Sequence, residues 1–484
     1  MMPKRITIAL AATAALGVTG AGTALAMGAF GPSEKERVVA RALSDTHPKN
    51  VIFLLGDGMG TQEITAARYY QGVGNPLNVD RLPLTGFDTT WSVKPAAAPP
   101  YLPDYAPDSA STGTMWATGQ KTIDERISQG PSSAINVPGT NLPTVLERWQ
   151  RRGARVGNVS TAEITDATPA VLASHISLRG CQGPADMNNC ASERKGAGGQ
   201  GSIAEQEVDH KVDVLLGGGR NRFTATIPDG PDAGKTVVDS AQRQGYQYVT
   251  DAAGLAAVTN KGPRPFFDRD RDRDRDRDSK PVLGLFNTGN MSVEWSGPAA
   301  STGKGNAPAP CVENQRPANE PSLADMTSKA ISLLENNNNR GFFLQVEGAS
   351  IDKQDHATNA CGQIGETVAF DAAIGVALDY QKSHPDTLVV VSADHSHTSQ
   401  IVADDASGPG LPTGYSTNLT TKDGSTLSLT YGTAGYGGPG AAPVAASPSQ
   451  QHTGAVVPVW ARGPGSLDVL GTNDHTDLFK TLGG

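Results

Sequence analysis

Three short apolar runs in this chain each stop at a cluster of acidic and imidazole side chains, and that recurrence restricts the fold more than any other feature. Asn50-Val51-Ile52-Phe53-Leu54-Leu55 runs into Gly56-Asp57-Gly58-Met59-Gly60. Gly341-Phe342-Phe343-Leu344 runs into the block from Gln345 to His356, and Thr387-Leu388-Val389-Val390-Val391 runs into Ser392-Ala393-Asp394-His395-Ser396-His397. A fourth run, Val456-Val457-Pro458-Val459-Trp460, is preceded by Gln451-His452-Thr453-Gly454. Runs of this length read as buried strands. Open α/β sheets bind ligands at the carboxyl ends of their strands, so these side chains are expected to meet at one site. Asp352 and His356 lie four apart, and one turn of helix would put both on the same face. A carboxylate and an imidazole aimed at one point are a hard-to-borderline metal pair, usually occupied by zinc. The glycines around Asp57 have the spacing G-x-G-x-G, which lacks the interval of a dinucleotide loop, and an Asp there would repel a pyrophosphate. Asp57 reads better as a metal ligand on a tight strand-to-helix turn.

Strand-like runs alternate with helix-like ones along the rest of the chain. Arg155–Val159, Val212–Leu216, Val282–Phe286, Phe342–Val346, Leu388–Val391 and Val456–Trp460 are predicted strands. Leu142–Arg152, Pro169–Ser177, Leu323–Glu335 and Ile364–Gln381 carry helical spacing of apolar residues. Such alternation predicts an α/β fold, doubly wound, with a mostly parallel central sheet and helices on both faces. No linker separates two cores, so residues 49–484 are expected to form one catalytic domain with surface insertions, preceded by a polar arm at 27–48. The alternating Asp-Arg run from Asp268 to Asp278 has no apolar face and reads as a solvated surface loop. Residues 403–450, rich in Gly, Ser, Thr and Pro, are expected to meander over the surface.

The first 26 residues combine Lys4 and Arg5, an apolar stretch from Ile6 to Val18, and Ala24-Leu25-Ala26. That is the pattern of a signal peptide with an A-x-A cleavage site. It predicts a secreted or periplasmic protein with no stable membrane anchor. Removing residues 1–26 takes away two positive charges from a chain whose formal charge is already −9. So acidic a surface argues against nucleic acid as the main partner. The four cysteines fit export: Cys181 with Cys190 would close a short disulfide loop, and Cys311 with Cys361 a longer one. A four-cysteine zinc site competes weakly, because no C-x-x-C occurs.

The chain has no G-x-S-x-G elbow, which argues against a Ser-His-Asp hydrolase. In Pro107-Asp108-Ser109-Ala110-Ser111-Thr112-Gly113, Ser109 opens a helix-like stretch, and by itself the segment fits an ordinary helix N-cap. Taken with Gly56–Gly60, Asp166-Ala167-Thr168-Pro169-Ala170, Gln345–His356, Ala393-Asp394-His395 and His452-Thr453-Gly454, however, it resembles the bacterial alkaline phosphatases. These motifs span nearly the whole mature chain in the family's order.

The resemblance implies a phosphate-monoester hydrolase with a covalent phosphoserine on Ser109, working as a homodimer with two zinc ions and one magnesium ion. It implies that Asp352, His356 and His452 hold one zinc, and that Asp57, Asp394 and His395 hold the second. Asp57, Thr168 and Glu347 would bind magnesium, with Asp166 holding its waters. Arg179 would clamp the phosphate, with Asp108 beside it and Lys353 nearby. Two metals serve both oxygens of an in-line displacement, hydroxyl and carboxylate ligands suit magnesium, and the planar guanidinium matches two phosphate oxygens. His397 reads as a hydrogen-bond partner of the metal ligands in preference to a ligand. His47, His175, His210, His384 and His475 sit in surface-like contexts. Within the wider superfamily a phosphodiesterase is the alternative, which Arg179 and the complete Asp57/Thr168/Glu347 set weaken.

Overall fold

The computed structural model describes residues 37, 47–259, 280–335, 338–404, 414–435 and 449–484. The segment 1–26 expected to be a signal peptide, most of the 27–48 arm and the Asp-Arg run 268–278 lie outside the described residues.

A ten-stranded sheet dominates the molecule. In chain order its strands are β1 (Asn50–Gly56), β2 (Leu84–Thr89), β3 (Arg155–Glu163), β4 (Val214–Gly218) and β5 (Gln247–Val249). They continue with β6 (Val282–Leu285), β7 (Phe342–Gly348), β8 (Thr387–Ala393), β9 (Val457–Arg462) and β10 (Gly471–Asp474). Across the sheet they lie in the order β10-β2-β9-β8-β1-β7-β3-β4-β6-β5. Only β9 runs against the others, pairing antiparallel with β8 and β2, while the remaining pairs are parallel. The expected doubly wound, mostly parallel architecture is therefore present.

Period-two alternation along the central strands shows why both faces carry helices. Val51, Phe53 and Leu55 of β1 face one core with Phe343 and Val390. Ile52 and Leu54 face the other with Phe342, Leu344 and Val389. The first core is completed by Trp116, from helix α1 (Ser109–Thr118), and by Leu146 and Trp149, from α2 (Val145–Arg151). The second is completed by Met326 and Ala330, from α3 (Leu323–Glu335), and by Phe370 and Ile374, from α4 (Ala360–Ser383). Register then sets the site. Gly56 at the end of β1 pairs with both Gly348 of β7 and Ala393 of β8. Asp57, Glu347 and Asp394 consequently leave the sheet at nearly the same level.

Several expectations need correction. Strands β2, β5 and β10 carry no continuous apolar run: β2 alternates buried and exposed residues, and β5 is only half-buried. The helix expected over Pro169–Ser177 shortens to Ala167–Ala170, because Ile176 is drawn into an antiparallel bridge with Ile127. Part of the 403–450 segment is ordered: Tyr415–Thr420 and Thr426–Tyr431 pair in a four-stranded sheet with Ser399–Val402 and Ser301–Thr302. Leu419, Leu427 and Leu429 of that sheet pack with Trp295 and Cys361. His175 and His475 are buried, not surface residues: His475 Nδ1 lies 3.1 Å from Asp88 Oδ2, and His175 bonds Glu147. The disulfides Cys181–Cys190 and Cys311–Cys361 are formed, which removes the four-cysteine alternative.

Candidate active site

The turn after β1 is tight because its second glycine sits at φ +66°, where a β-carbon would fall 2.7 Å from the His397 ring. That turn brings the Gly58 N–H to Asp394 Oδ1 at 2.9 Å, tying the ends of β1 and β8 together. Asp394 Oδ1 also accepts from the His395 N–H at 3.0 Å. The opposite oxygen, Asp394 Oδ2, is buried with no hydrogen-bond partner among the described residues, as is Asp57 Oδ1. Both lie beside His395 Nε2, at 3.3 and 3.4 Å.

Ser109 is the first residue of α1, and Asp108 caps that helix by accepting from the Ser111 N–H at 2.9 Å. The cap places the Ser109 hydroxyl at the positive end of a fully buried helix, where negative charge is favoured. Ser109 Oγ lies 3.3 Å from His395 Nε2. A proton-relay triad would use the two ring nitrogens separately, one toward serine and the other toward a carboxylate. Here Nε2 faces Ser109, Asp57 and Asp394 together, while Nδ1 has no partner among the described residues. Convergence of these atoms fits a shared cation and not a relay.

A second cluster adjoins the first. Asp352, His395, His397 and His452 bring ligand-type atoms within 4.8 Å of one another, as do Asp57, Asp394 and His395. His356 joins them from the C-terminal end of the helix Ser350–His356, its Nε2 3.3 Å from Asp352 Oδ1 and 3.0 Å from His452 Nε2. The hydrogen-bonding of the two rings is informative. His356 Nδ1 lies 2.8 Å from the Gln450 carbonyl and His452 Nδ1 lies 2.9 Å from the Pro107 carbonyl. A carbonyl only accepts, so each Nδ1 carries a proton, and the two Nε2 atoms are left to meet each other and a carboxylate. Such a meeting of ligand-type atoms suits a divalent cation in place of the Nε2 protons, and the carbonyl contacts are the usual outer support of metal-binding imidazoles. His397 differs: its Nε2 sits 2.6 Å from Asp352 Oδ1 and orients that carboxylate.

Glu347, one of the carboxylates acting on Asp57, accepts through Oε2 from Ser160 Oγ at 2.5 Å, and Thr168 Oγ1 is buried with no hydrogen-bond partner among the described residues. Hydroxyl and carboxylate oxygens of this kind match a hard cation such as magnesium. Burial pushes the Glu347 carboxyl up to about 8, against the pull of the Ser160 hydrogen bond. Burial first, then the neighbouring Asp394, Asp352 and Glu347, push Asp57 well above its ordinary value. So many carboxylates in one dry place repel one another unless positive charge is added.

Arg179 and Lys353 stand on the outer side of this cluster. Asp166 accepts from both, from Arg179 Nη2 at 3.0 Å and from Lys353 Nζ at 2.7 Å. Arg179 Nη1 reaches Asp108 Oδ2 at 3.3 Å. Burial raises the Asp166 carboxyl, but Lys353 and then Arg179 outweigh it and hold the group well below the usual carboxylate range. The guanidinium thus hangs between two carboxylates beside Ser109's helix, with its side chain 24% accessible.

Sequence reasoning overlooked several residues. Glu125 adopts φ 69°, donates its N–H to Asp108 Oδ2 at 3.0 Å, and offers its carbonyl to the Arg179 N–H at 2.7 Å. Asp124 accepts from Ser111 Oγ at 2.8 Å and from the Asp108 N–H at 3.3 Å. Beneath the histidines, Asp355 and Glu63 are buried together with Ser399, Ser396 and Gln450. Asp355 falls inside the Gln345–His356 block, so its position was visible although its role was not.

The chain is similar to known proteins along most of its length. The alkaline phosphatase family model matches residues 48–437. The chain is 45% identical to alkaline phosphatase of Escherichia coli strain K12 over 449 residues, covering 91% of this chain and 86% of the relative. It is 44% identical to streptomycin-6-phosphate phosphatase of Streptomyces griseus over 443 residues, covering 90% and 89%. Among solved structures, Thermus thermophilus alkaline phosphatase superposes with a TM-score of 0.62 at 20% identity, covering 94% of this chain and 95% of that one, a likeness of fold.

Proposed function

The chain belongs to the alkaline phosphatase family, and on that premise we propose that it is an exported, metal-dependent phosphate-monoester hydrolase acting through a phosphoserine on Ser109. The observation that carries the reading is the position of the Ser109 hydroxyl, at a helix N-terminus and 3.3 Å from a nitrogen that also faces Asp57 and Asp394. Asp352, His356 and His452 hold one zinc, Asp57, Asp394 and His395 the second, and Asp57, Thr168 and Glu347 a magnesium. Bound there, the cations supply positive charge against the serine oxygen, the leaving oxygen and the phosphoryl oxygens.

The protein's own groups do the rest. The Oγ–phosphorus bond forms as the bond from phosphorus to the leaving oxygen breaks; the serine proton passes to solvent and the leaving oxygen takes one from it, departing as the alcohol. Water then attacks phosphorus as the Oγ–phosphorus bond breaks; one of its protons returns to Ser109 Oγ, directly or through solvent, and its oxygen leaves in inorganic phosphate. Arg179 holds two non-bridging oxygens through both steps, and its fork is aimed by Asp108 and Asp166. Lys353 fixes Asp166 and keeps its charge compensated when Arg179 turns to substrate. Asp166 also holds the waters of the magnesium site, and His397 orients Asp352.

We assign the catalytic domain to residues 49–484 and the working form to a homodimer that takes small phosphate monoesters. Export rests on the 1–26 segment and suits two disulfides. Among the described residues no helix is long and apolar enough to cross a membrane. The chain is 45% identical to an alkaline phosphatase and 44% identical to a streptomycin-6-phosphate phosphatase, so kcat/KM over a panel of monoesters measures its substrate breadth. The test is phosphate release from an aryl monoester and an aryl diester, before and after chelation. Monoester turnover that disappears with the metals supports the reading, whereas preferential diester turnover or full activity in metal-free protein refutes it.

A further inference from the structure

Away from these residues, Glu147, His175 and His210 bring ligand-type atoms within 4.8 Å of one another. Three separate segments contribute them. Glu147 lies in the first turn of α2, His175 in the passage that leads to Arg179, and His210 ends the helix Ile203–Asp209. Glu147 Oε1 is 3.1 Å from His175 Nε2 and 3.3 Å from His210 Nε2. The other carboxylate oxygen is engaged, accepting from the Thr144 N–H at 3.0 Å.

Both rings are fixed from behind by carbonyls. His175 Nδ1 lies 2.9 Å from the Ser128 carbonyl, and His210 Nδ1 lies 2.9 Å from the Gln206 carbonyl. Each Nδ1 therefore carries a proton, which leaves each Nε2 as the ring atom facing the same carboxylate oxygen; without metal a proton on Nε2 bonds that oxygen, and a divalent cation takes the proton's place. Three ligand-type atoms facing one another is also the arrangement of His356, His452 and Asp352, with the same carbonyl support behind each ring. His175 is buried, while Glu147 and His210 keep 19% and 21% of their side chains accessible, which leaves one approach open to solvent.

We propose that Glu147, His175 and His210 form a further divalent-metal site, separate from the candidate active site and selective for zinc over magnesium or calcium. Two imidazoles and a carboxylate are a recurring three-ligand zinc set, and the open side takes a water. Magnesium and calcium require more oxygen ligands than the cluster offers. Metal here clamps three chain segments that are distant in sequence, so its contribution is to stability.

Crystals of the wild-type holoenzyme grown with zinc, and of Glu147→Gln and His210→Ala, measured at the zinc absorption edge, decide the matter. The expected result is an anomalous peak bounded by Glu147, His175 and His210 in the wild type and absent from both variants. Zinc content per chain should fall by one in each variant, with turnover of an aryl phosphate within about two-fold of wild type. Peaks at the active site are located independently, so failure there and failure here are distinguishable. Absence of the peak from zinc-saturated wild type overturns the proposal, as does equal zinc content in wild type and a folded Glu147→Gln, the isosteric variant.

Discussion

Replacing Arg179 with alanine probes the phosphate clamp most selectively. The guanidinium is already shaped for a planar anion, with one nitrogen 3.0 Å from Asp166 and another 3.3 Å from Asp108. Exchanging those carboxylates for phosphate oxygens gives a bidentate, charge-assisted contact, and hydrogen bonds to charged groups contribute about 1.5–3 kcal/mol. At roughly 1.4 kcal/mol per decade, monoester kcat/KM should fall on the order of ten- to hundred-fold. The structure adds a second loss. Lys353 remains 2.7 Å from Asp166 in the variant, but Asp108 loses its ion-pair partner and faces the incoming dianion uncompensated. Adding Asp108→Asn to Arg179→Ala should therefore recover part of the monoester loss. A diester carries one charge fewer and an extra substituent where an oxygen would meet the arginine, so its kcat/KM should fall much less. Inhibition by inorganic phosphate should weaken in parallel with the monoester loss. Steady-state kinetics on both substrate types for wild type, the single variant and the double variant provide the measurement. Equal losses for monoester and diester, with no recovery from Asp108→Asn, would mean that Arg179 supports the site's structure and does not read the dianion.

Other expectations follow from individual groups. Metal-stripped protein should unfold at a lower temperature than the zinc- and magnesium-loaded form, because Asp57, Asp352, Asp394 and Glu347 then repel one another in a buried place; calorimetry showing identical midpoints would contradict this. Burial lifts the Glu366 carboxyl to about 8, so the folded protein holds a proton there that the unfolded chain releases at much lower pH. Its contribution is greatest below the unfolded value near 4.5 and is lost as pH rises through about 8; Glu366→Gln should thus gain on the order of 1–3 kcal/mol over wild type at pH 9 and nothing at pH 4, read from denaturant midpoints. Deleting residues 268–278, which carry no apolar side chain, should leave zinc content and turnover within about two-fold of wild type, and a larger fall would assign that run a structural role.

How much of this was legible in the sequence depends on whether function sits where the chain leaves a buried strand. Asp57, Glu347, Asp394 and His395 do, and the apolar runs before them are long enough to read directly. The edge of the sheet was not legible. Strand β2 is buried at Leu84, Gly86 and Asp88 only, and β10 is Gly471-Thr472-Asn473-Asp474, so neither offers the run that marks a core strand. Apolar spacing over Pro169–Ser177 pointed to a helix, but tertiary pairing of Ile176 with Ile127 won over local propensity. The same pairing carries His175 inward to Glu147, which no local pattern could reveal. The support of Arg179 by Glu125 is hidden for a related reason: it depends on a backbone conformation that glutamate rarely adopts and on a contact spanning more than fifty residues.

The central claim is that phosphate passes through Ser109 in a metal-filled site. Wild-type enzyme turning over a radiolabelled monoester can be quenched in acid, digested, and its phosphopeptides sequenced, with metal-free enzyme and Ser109→Ala treated in parallel. The account predicts label on Ser109 in the metal-loaded wild type and no label in the other two samples. Label on any other residue, or undiminished turnover by a folded Ser109→Ala, would contradict it.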